Sequence, residues 1–275
     1  MLIDWELIFF NTTIMNTERT SENIRGVWDE RAKLGDNSGS DDFILKDLEQ
    51  KAICSEIEYG SEILEVGCGN GVTLIGLCKQ KNCSGIGLDF SSRMIDLANQ
   101  NLTKENGSLR AEFLVRSAPE IGKHGLFDFA LSQRCLGNLT NRKDQREAIE
   151  NIMANLKPGG KYIMLEDCEQ SHNRLNEIRK KVGLYIIDQP WFNFFFDSEE
   201  VASWQSSNNK IIKGPLTVAS TYYFLSRVVY AKIEQNKGTD PNDLVYDSEI
   251  NLLAYDIPNM GEIGAPSLWV WERCD

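Results

Sequence analysis

No stretch of this sequence approaches the roughly 20 consecutive apolar residues that cross a bilayer. The opening Met1-Leu2-Ile3-Asp4-Trp5-Glu6 carries acids where a secretory leader carries Lys or Arg. The expectation is a cytoplasmic protein that enters no membrane. Histidine is scarce, with two residues, and the seven cysteines (54, 68, 78, 83, 135, 168 and 274) form no Cys-x-x-Cys pair and have no histidine at ligand spacing. That argues against a metal site and a disulfide framework and reads as reduced thiols. Bases are also short: 29 Lys and Arg face 41 Asp and Glu, a net charge of −12, with no dense basic tract. A polyanion would meet net repulsion, so nucleic acid is disfavoured and a small molecule is the expected partner, with room for a basic pocket around one phosphate. The oligomeric state is not legible.

What is present is a chain of 275 residues, 41% of them hydrophobic, enough for one large core with a substantial insertion. Residues 1–25 have no clear period and read as a flexible lead or short docking helix. Residues 26–275 read as one domain with a cap at about 168–210 and 220–262. Between Trp28 and Ile57, Asp41-Asp42-Phe43-Ile44-Leu45-Lys46-Asp47-Leu48-Glu49 sets apolar residues behind acidic capping residues, which predicts a helix. Short apolar runs then alternate with helical patterns, the rhythm of βαβ units and a parallel sheet. The predicted strands are 62–66, 84–88, 111–115, 127–132 and 161–166, with a helix over 144–156 that leaves through Lys157-Pro158-Gly159-Gly160. Beyond Glu166 come a polar helix (about 170–182), the aromatic loop Pro190-Trp191-Phe192-Asn193-Phe194-Phe195-Phe196, a strand over 211–218, a helix near 221–233 and a terminal strand over 267–272.

The most informative segment is Ile63-Leu64-Glu65-Val66-Gly67-Cys68-Gly69-Asn70-Gly71-Val72-Thr73: an apolar strand, three glycines at alternate positions, then a helix. Glycines there allow a tight turn and let backbone amides approach a ligand. A dinucleotide fingerprint would place its third glycine at Val72, so the spacing disfavours NAD. Strand two ends at Gly87-Leu88-Asp89, where a carboxylate can accept hydrogen bonds from both hydroxyls of a ribose.

With Glu65-x-Gly67-x-Gly69-x-Gly71, the acidic end of strand two at Asp89 and Leu156-Lys157-Pro158-Gly159-Gly160 before strand five, the chain resembles the class I S-adenosylmethionine-dependent methyltransferases across about 60–166. The resemblance implies an α/β, Rossmann-like, seven-stranded and mostly parallel sheet with an antiparallel terminal strand and a helical and aromatic cap. It implies S-adenosylmethionine as cofactor and S-adenosylhomocysteine as product. The Gly67–Gly71 loop would lie beside the methionine, Asp89 would hold the ribose, Met94 would pack on the adenine with Ser117 and Ala118 at its edge, and Phe90 would be a further cofactor contact. Many relatives carry Asp where Ser117 stands. Each residue also has a plainer reading: Glu65 as a helix-cap partner, Asp89 as a turn former, Met94 as core.

Upstream, Val27-Trp28-Asp29-Glu30-Arg31 resembles a lead-in of methyltransferases from surface-sugar and capsule gene clusters, which would put Arg31 on the cofactor carboxylate and Trp28 over that end of the pocket. A core tryptophan and a surface ion pair fit the same residues equally. Leu175-Asn176-Glu177-Ile178-Arg179 and Ser220-Thr221-Tyr222-Tyr223-Phe224-Leu225-Ser226-Arg227 are similar to the same enzymes.

Methyl transfer from a sulfonium rests mainly on holding the acceptor close, aligned and dry, so a general base is optional. His172, just after Glu166-Asp167, is the better placed of the two histidines; His124 is the other. Gln133 joins the cofactor side at the end of strand four. Arg134, Asn176, Arg179, Trp191, Asn193, Tyr222, Tyr223 and Arg227 are the expected acceptor residues, combining aromatic faces with donors as a carbohydrate-like ligand needs. No Asn-Pro-Pro-Tyr-like sequence ends strand four, where Ser132-Gln133-Arg134-Cys135 stands, so an exocyclic base amine is disfavoured. The expected reaction is methylation of a hydroxyl or amine on a sugar, nucleotide sugar or phosphorylated metabolite. Methylation of a secondary-metabolite amine or carboxylate, and a cofactor-binding module without turnover, stay open.

Overall fold

The central strand segments are apolar nearly without alternation because both faces of the sheet are covered there. In the computed structural model, which describes residues 18–105 and 107–274, seven strands lie in the order β3-β2-β1-β4-β5-β7-β6. They are β1 (Glu62–Val66), β2 (Ser84–Asp89), β3 (Arg110–Val115), β4 (Phe127–Gln133), β5 (Leu156–Asp167), β6 (Asn209–Thr217) and β7 (Pro266–Arg273). The first five are mutually parallel, while β7 runs antiparallel to both β5 and β6. Side chains alternate between two buried clusters: Tyr162, Met164, Trp269 and Trp271 on one face, Ile163, Leu165, Leu268 and Val270 on the other. The expected α/β sheet with its antiparallel terminal strand is the observed one.

Ahead of the sheet, the stretch from Trp28 to Ile57 is two helices. Helix α1 (Ser21–Arg31) begins inside the segment read as a lead, capped by Thr20; residues 1–17 of that segment lie outside the described residues. A turn through Gly35, at φ 59°, separates it from α2 (Phe43–Glu56), whose N-cap is Asp42, its carboxylate accepting the Leu45 amide at 3.0 Å. Helices α3 (Val72–Lys81), α4 (Ser92–Lys104) and α5 (Arg142–Ala154) complete the crossovers.

The late helices are α6 (Glu169–Lys181), α7 (Ser198–Ser203), α8 (Ser220–Phe224), α9 (Ala231–Lys237), joined to α8 by a wider helical turn over Leu225–Tyr230, and α10 (Glu249–Leu252). The insertion between β6 and β7 packs on α2: Ala219, Tyr222, Leu225 and Ala254 share a buried cluster with Ile44 and Leu45. Among the described residues no helix is long and apolar enough to cross a membrane.

Candidate functional site

Strand order reverses between β1 and β4, and the loops leaving the C-terminal ends of neighbouring strands diverge there, which in an open parallel sheet creates a ligand crevice. A cleft of about 1270 Å³, counted out to its open mouth, occupies that place. Its walls come from the loop after β1 (Gly67, Cys68, Gly69, Asn70), the end of β2 (Asp89, Phe90), the turn after β3 (Arg116, Ser117, Ala118) and the end of β4 (Gln133, Arg134, Cys135). Helix α1 contributes Arg25 and Trp28, and α2 contributes Lys46, Glu49 and Gln50.

The glycine loop is shaped by contact. Gly67 has φ 77°, and a Cβ there would stand 2.2 Å from Cys135 Sγ, so only glycine lets the turns after β1 and β4 meet. Gly71 caps α3 at φ 76°, and a Cβ would meet the Phe113 ring at 2.7 Å. Two carboxylates tie this loop down. Glu65 Oε2 accepts the Leu74 amide at 3.1 Å in the first turn of α3, and burial raises its pKa to about 8. Asp89 accepts Gly69 N at 3.0 Å and Ser91 N at 2.9 Å; burial raises its pKa to about 6, against the pull of those two amides.

Opposite the glycine loop the wall is polar. Gln133 Oε1 accepts Thr73 Oγ1 at 3.1 Å while its Nε2 donates to Glu49 Oε2 at 2.8 Å. The other Glu49 oxygen pairs with the Arg134 guanidinium. Burial pushes the Glu49 carboxyl up, opposed by Arg134 and Gln133. Burial works against Arg134 as well, but Glu49, Tyr223 and Asp167 together outweigh it and raise the Arg134 pKa. Arg134 sits at φ 50°, a backbone region that costs a side-chain-bearing residue energy. The turn after it is fastened by Glu166, which accepts the amides of Cys135 (3.1 Å), Leu136 (2.9 Å) and Gly137 (3.2 Å).

Of the expected cofactor residues, Trp28, Glu65, Gly67, Gly69, Asp89, Phe90, Met94, Ser117, Ala118 and Gln133 all line this one cleft. Gly71 and Arg31 do not. Gly71 is spent on packing against Phe113, and Arg31 donates to the carbonyls of Ser38 (2.9 Å) and Gly39 (2.8 Å), so it reaches the cleft through the 38–40 turn that lines it. Trp28 Nε1 donates to Asn138 Oδ1 at 3.2 Å, and its ring meets Phe192 edge-on, which places the aromatic loop behind the cleft wall.

The expected acceptor residues are not brought together. Arg134 lines the cleft, but Asn176, Arg179, Trp191, Asn193, Tyr222, Tyr223 and Arg227 are absent from its walls. Both ends of the Asn176 amide are bonded to the Ile187 backbone, and Arg179 holds the carbonyls of Tyr185 and Arg227. Trp191 packs edge-on against Phe192, and Asn193 closes a backbone turn onto Pro190. Arg227 pairs with Asp42 and stacks on Tyr246; Tyr222 donates its hydroxyl to Asp42 at 2.6 Å; Tyr223 packs under Gly264. These three clamp the start of α2. His172 is likewise away from the cleft, with Nε2 2.9 Å from the Ile187 carbonyl and its pKa lowered by burial, and His124 Nε2 faces the Ile121 carbonyl. Among cleft residues, Ser38, Lys46, Glu49, Gln50 and Asn138 carry no motif, and the only sequence signal was the polar stripe on α2.

Chemically, the Asp89 carboxylate is placed to accept from a diol, and Phe90, Met94 and Ala118 offer an apolar slot for a flat ring beside it. Two buried donors on the walls, Ser38 Oγ and Arg134 Nε, have no partner among the described residues, as expected of a site built around a polar ligand. The donor set therefore fits an adenosyl amino-acid cofactor.

Residues 63–160 match the family described as "Methyltransferase domain". The chain is 24% identical over 191 residues to a ubiquinone/menaquinone biosynthesis C-methyltransferase of Wigglesworthia glossinidia brevipalpis, covering 65% of this chain and 75% of that one. It is 33% identical over 131 residues to a demethylmenaquinone methyltransferase of Lactococcus lactis, covering 46% of this chain and 49% of that one, so it spans only about half of that relative. In fold it is similar to the putative methyltransferase seen in complex with the Haloferax volcanii Trm112 methyltransferase activator, with a TM-score of 0.57, 17% identity and coverage of 90% and 98%. Residues 63–160 thus carry a methyltransferase domain, and the sheet order with a cleft at its switch point is the Rossmann-like fold of an S-adenosylmethionine-dependent methyltransferase.

Proposed function

We propose that the chain methylates a hydroxyl or amine of a small polar acceptor such as a sugar, a nucleotide sugar or a phosphorylated metabolite. The observation that carries this reading is the wall formed by Lys46, Glu49, Gln133 and Arg134 at the end of β4. It offers charged and hydrogen-bonding groups where an acceptor meets the cofactor, and a polar acceptor can replace their lost hydration.

In this reading the bound cofactor supplies an electrophilic methyl group on a sulfonium. Asp89 accepts from the ribose hydroxyls, the Gly67–Gly69 turn, its amides held by Leu88 and Asp89, lies beside the methionine, and Phe90, Met94 and Ala118 enclose the adenine with Ser117 at its edge. Trp28 and the 38–40 turn, held by Arg31, close that end against water. Gln133 and Arg134 orient the acceptor, and Glu49 is the carboxylate nearest to them for a proton leaving a hydroxyl.

A second reading follows the relatives named for methylation in ubiquinone or menaquinone biosynthesis and of demethylmenaquinone. A prenylated ring needs an apolar wall, and the four residues above do not provide one. The test is labelled methyl transfer to a panel of sugars, nucleotide sugars, sugar phosphates and demethylmenaquinone, with products identified by mass. A methylated polar compound supports the proposal. Transfer to the quinone alone overturns it, and cofactor binding without transfer to any compound favours a module without turnover.

A further inference from the structure

The acceptor wall carries a charge pattern at odds with the rest of the protein. The chain has a net charge of −12, yet Arg25, Lys46, Arg116 and Arg134 line the cleft against the carboxylates of Glu49, Glu65 and Asp89. Each of those carboxylates already has protein donors: two amides on Asp89, one on Glu65, and Gln133 with Arg134 on Glu49. The cofactor, with its sulfonium and ammonium against one carboxylate, adds a further positive charge. Arg25 and Arg116 stand exposed at the cleft mouth, where with the cofactor's charge they favour the approach of an anion over a cation.

Local geometry gives the anion a place. Arg134 is fixed by Glu49 on one side, while its buried Nε has no partner among the described residues. Ser38 Oγ, also buried and unpartnered, lines the same cleft from the turn held by Arg31. A guanidinium edge is suited to a planar or tetrahedral oxyanion. We propose that the acceptor carries a carboxylate or phosphate beside its nucleophile, and that Arg134, with Ser38, recognises this oxyanion. Glu49 then does two jobs: it holds Arg134 in place before the acceptor arrives, and it rejects anions that approach from its own side. This inference rests on the reading of a small polar acceptor and narrows it.

The test uses protein saturated with S-adenosylhomocysteine and three probes of one carbon skeleton: glycerol, glycerate and glycerol phosphate, titrated by ligand-detected NMR. Binding of S-adenosylhomocysteine is measured first; its failure would overturn the cofactor assignment and is thereby separated from the inference. Expected is an affinity for glycerate or glycerol phosphate about tenfold or more above that for glycerol. Which of the two binds tells carboxylate from phosphate. Arg134→Gln should erase the preference and Arg134→Lys should keep part of it, because charge survives without the fork. Equal affinities for all three probes in the unaltered protein, or a preference that persists in Arg134→Gln protein still binding S-adenosylhomocysteine, would overturn the proposal.

Discussion

Asp89 Oδ2 accepts the Gly69 amide at 3.0 Å, so the acid ending β2 and the glycine turn leaving β1 are one hydrogen-bonded unit. Under the proposed role, removing the carboxylate costs twice: the acceptor for the ribose is lost and the turn is loosened. Asp89→Ala is expected to weaken binding of S-adenosylhomocysteine by about tenfold or more, measured by calorimetry. Unchanged affinity would contradict the assigned role.

The same acid predicts opposite pH trends for stability and binding. Burial holds Asp89 at about 6, Glu166 at about 7 and Glu65 at about 8, all above their ordinary values of 3.8 and 4.5. A raised carboxyl keeps its proton in the folded protein where the unfolded chain has lost its own. The resulting stability is complete below about pH 4 and is lost as pH rises through about 6 to 8. Melting temperature of the ligand-free protein should fall from pH 5 to pH 8, while affinity for S-adenosylhomocysteine should rise through about pH 6 as Asp89 ionises. Melts with and without that ligand across the range check both; Asp89→Asn should remove the rise in affinity.

Gly67 and Gly69 look alike in sequence and differ in space. A Cβ on Gly67 collides with Cys135, whereas one on Gly69 meets nothing within 4 Å and pays only for its φ of 51°. Gly67→Ala should destabilise by about 3 kcal/mol and Gly69→Ala by about 1 kcal/mol, read from urea unfolding. Adding Cys135→Gly should recover part of the larger loss.

Glu166 is the anchor of the turn that presents Arg134. Glu166→Ala leaves three amides of that turn, two of them fully buried, without their acceptor and should cost about 3 kcal/mol. Glu166→Gln should recover little, since its amide would point a donor at N–H groups.

Arg31 acts on the cleft through Ser38 and Gly39. Arg31→Ala should raise the dissociation constant of S-adenosylhomocysteine by about fivefold, and Arg31→Lys should not restore it, because one ammonium cannot span both carbonyls.

The sheet, and the gathering of most expected cofactor residues around one cleft, were legible because local rules govern them. The β1 bounds match at 62–66, and the alternate glycines mark a turn that side chains would block. The acceptor half was not legible. Tyr222, Tyr223 and Arg227 have the composition of a carbohydrate site, but the Tyr222 hydroxyl finds its partner in Asp42, 180 residues earlier, and the group becomes a helix clamp. Glu49 read as one more polar residue on a helix; pairing with Arg134, 85 residues later, is what brings it into the cleft wall. His172 follows Glu166-Asp167 closely in sequence, but α6 turns its ring to the Ile187 loop.

The most direct measurement is a calorimetric titration of the purified protein with S-adenosylmethionine, with NAD as the control. The account predicts micromolar binding of the first and none of the second, since the glycine spacing and the single acid at Asp89 suit an adenosyl cofactor without a second nucleotide. No binding of S-adenosylmethionine, or tighter binding of NAD, would contradict it.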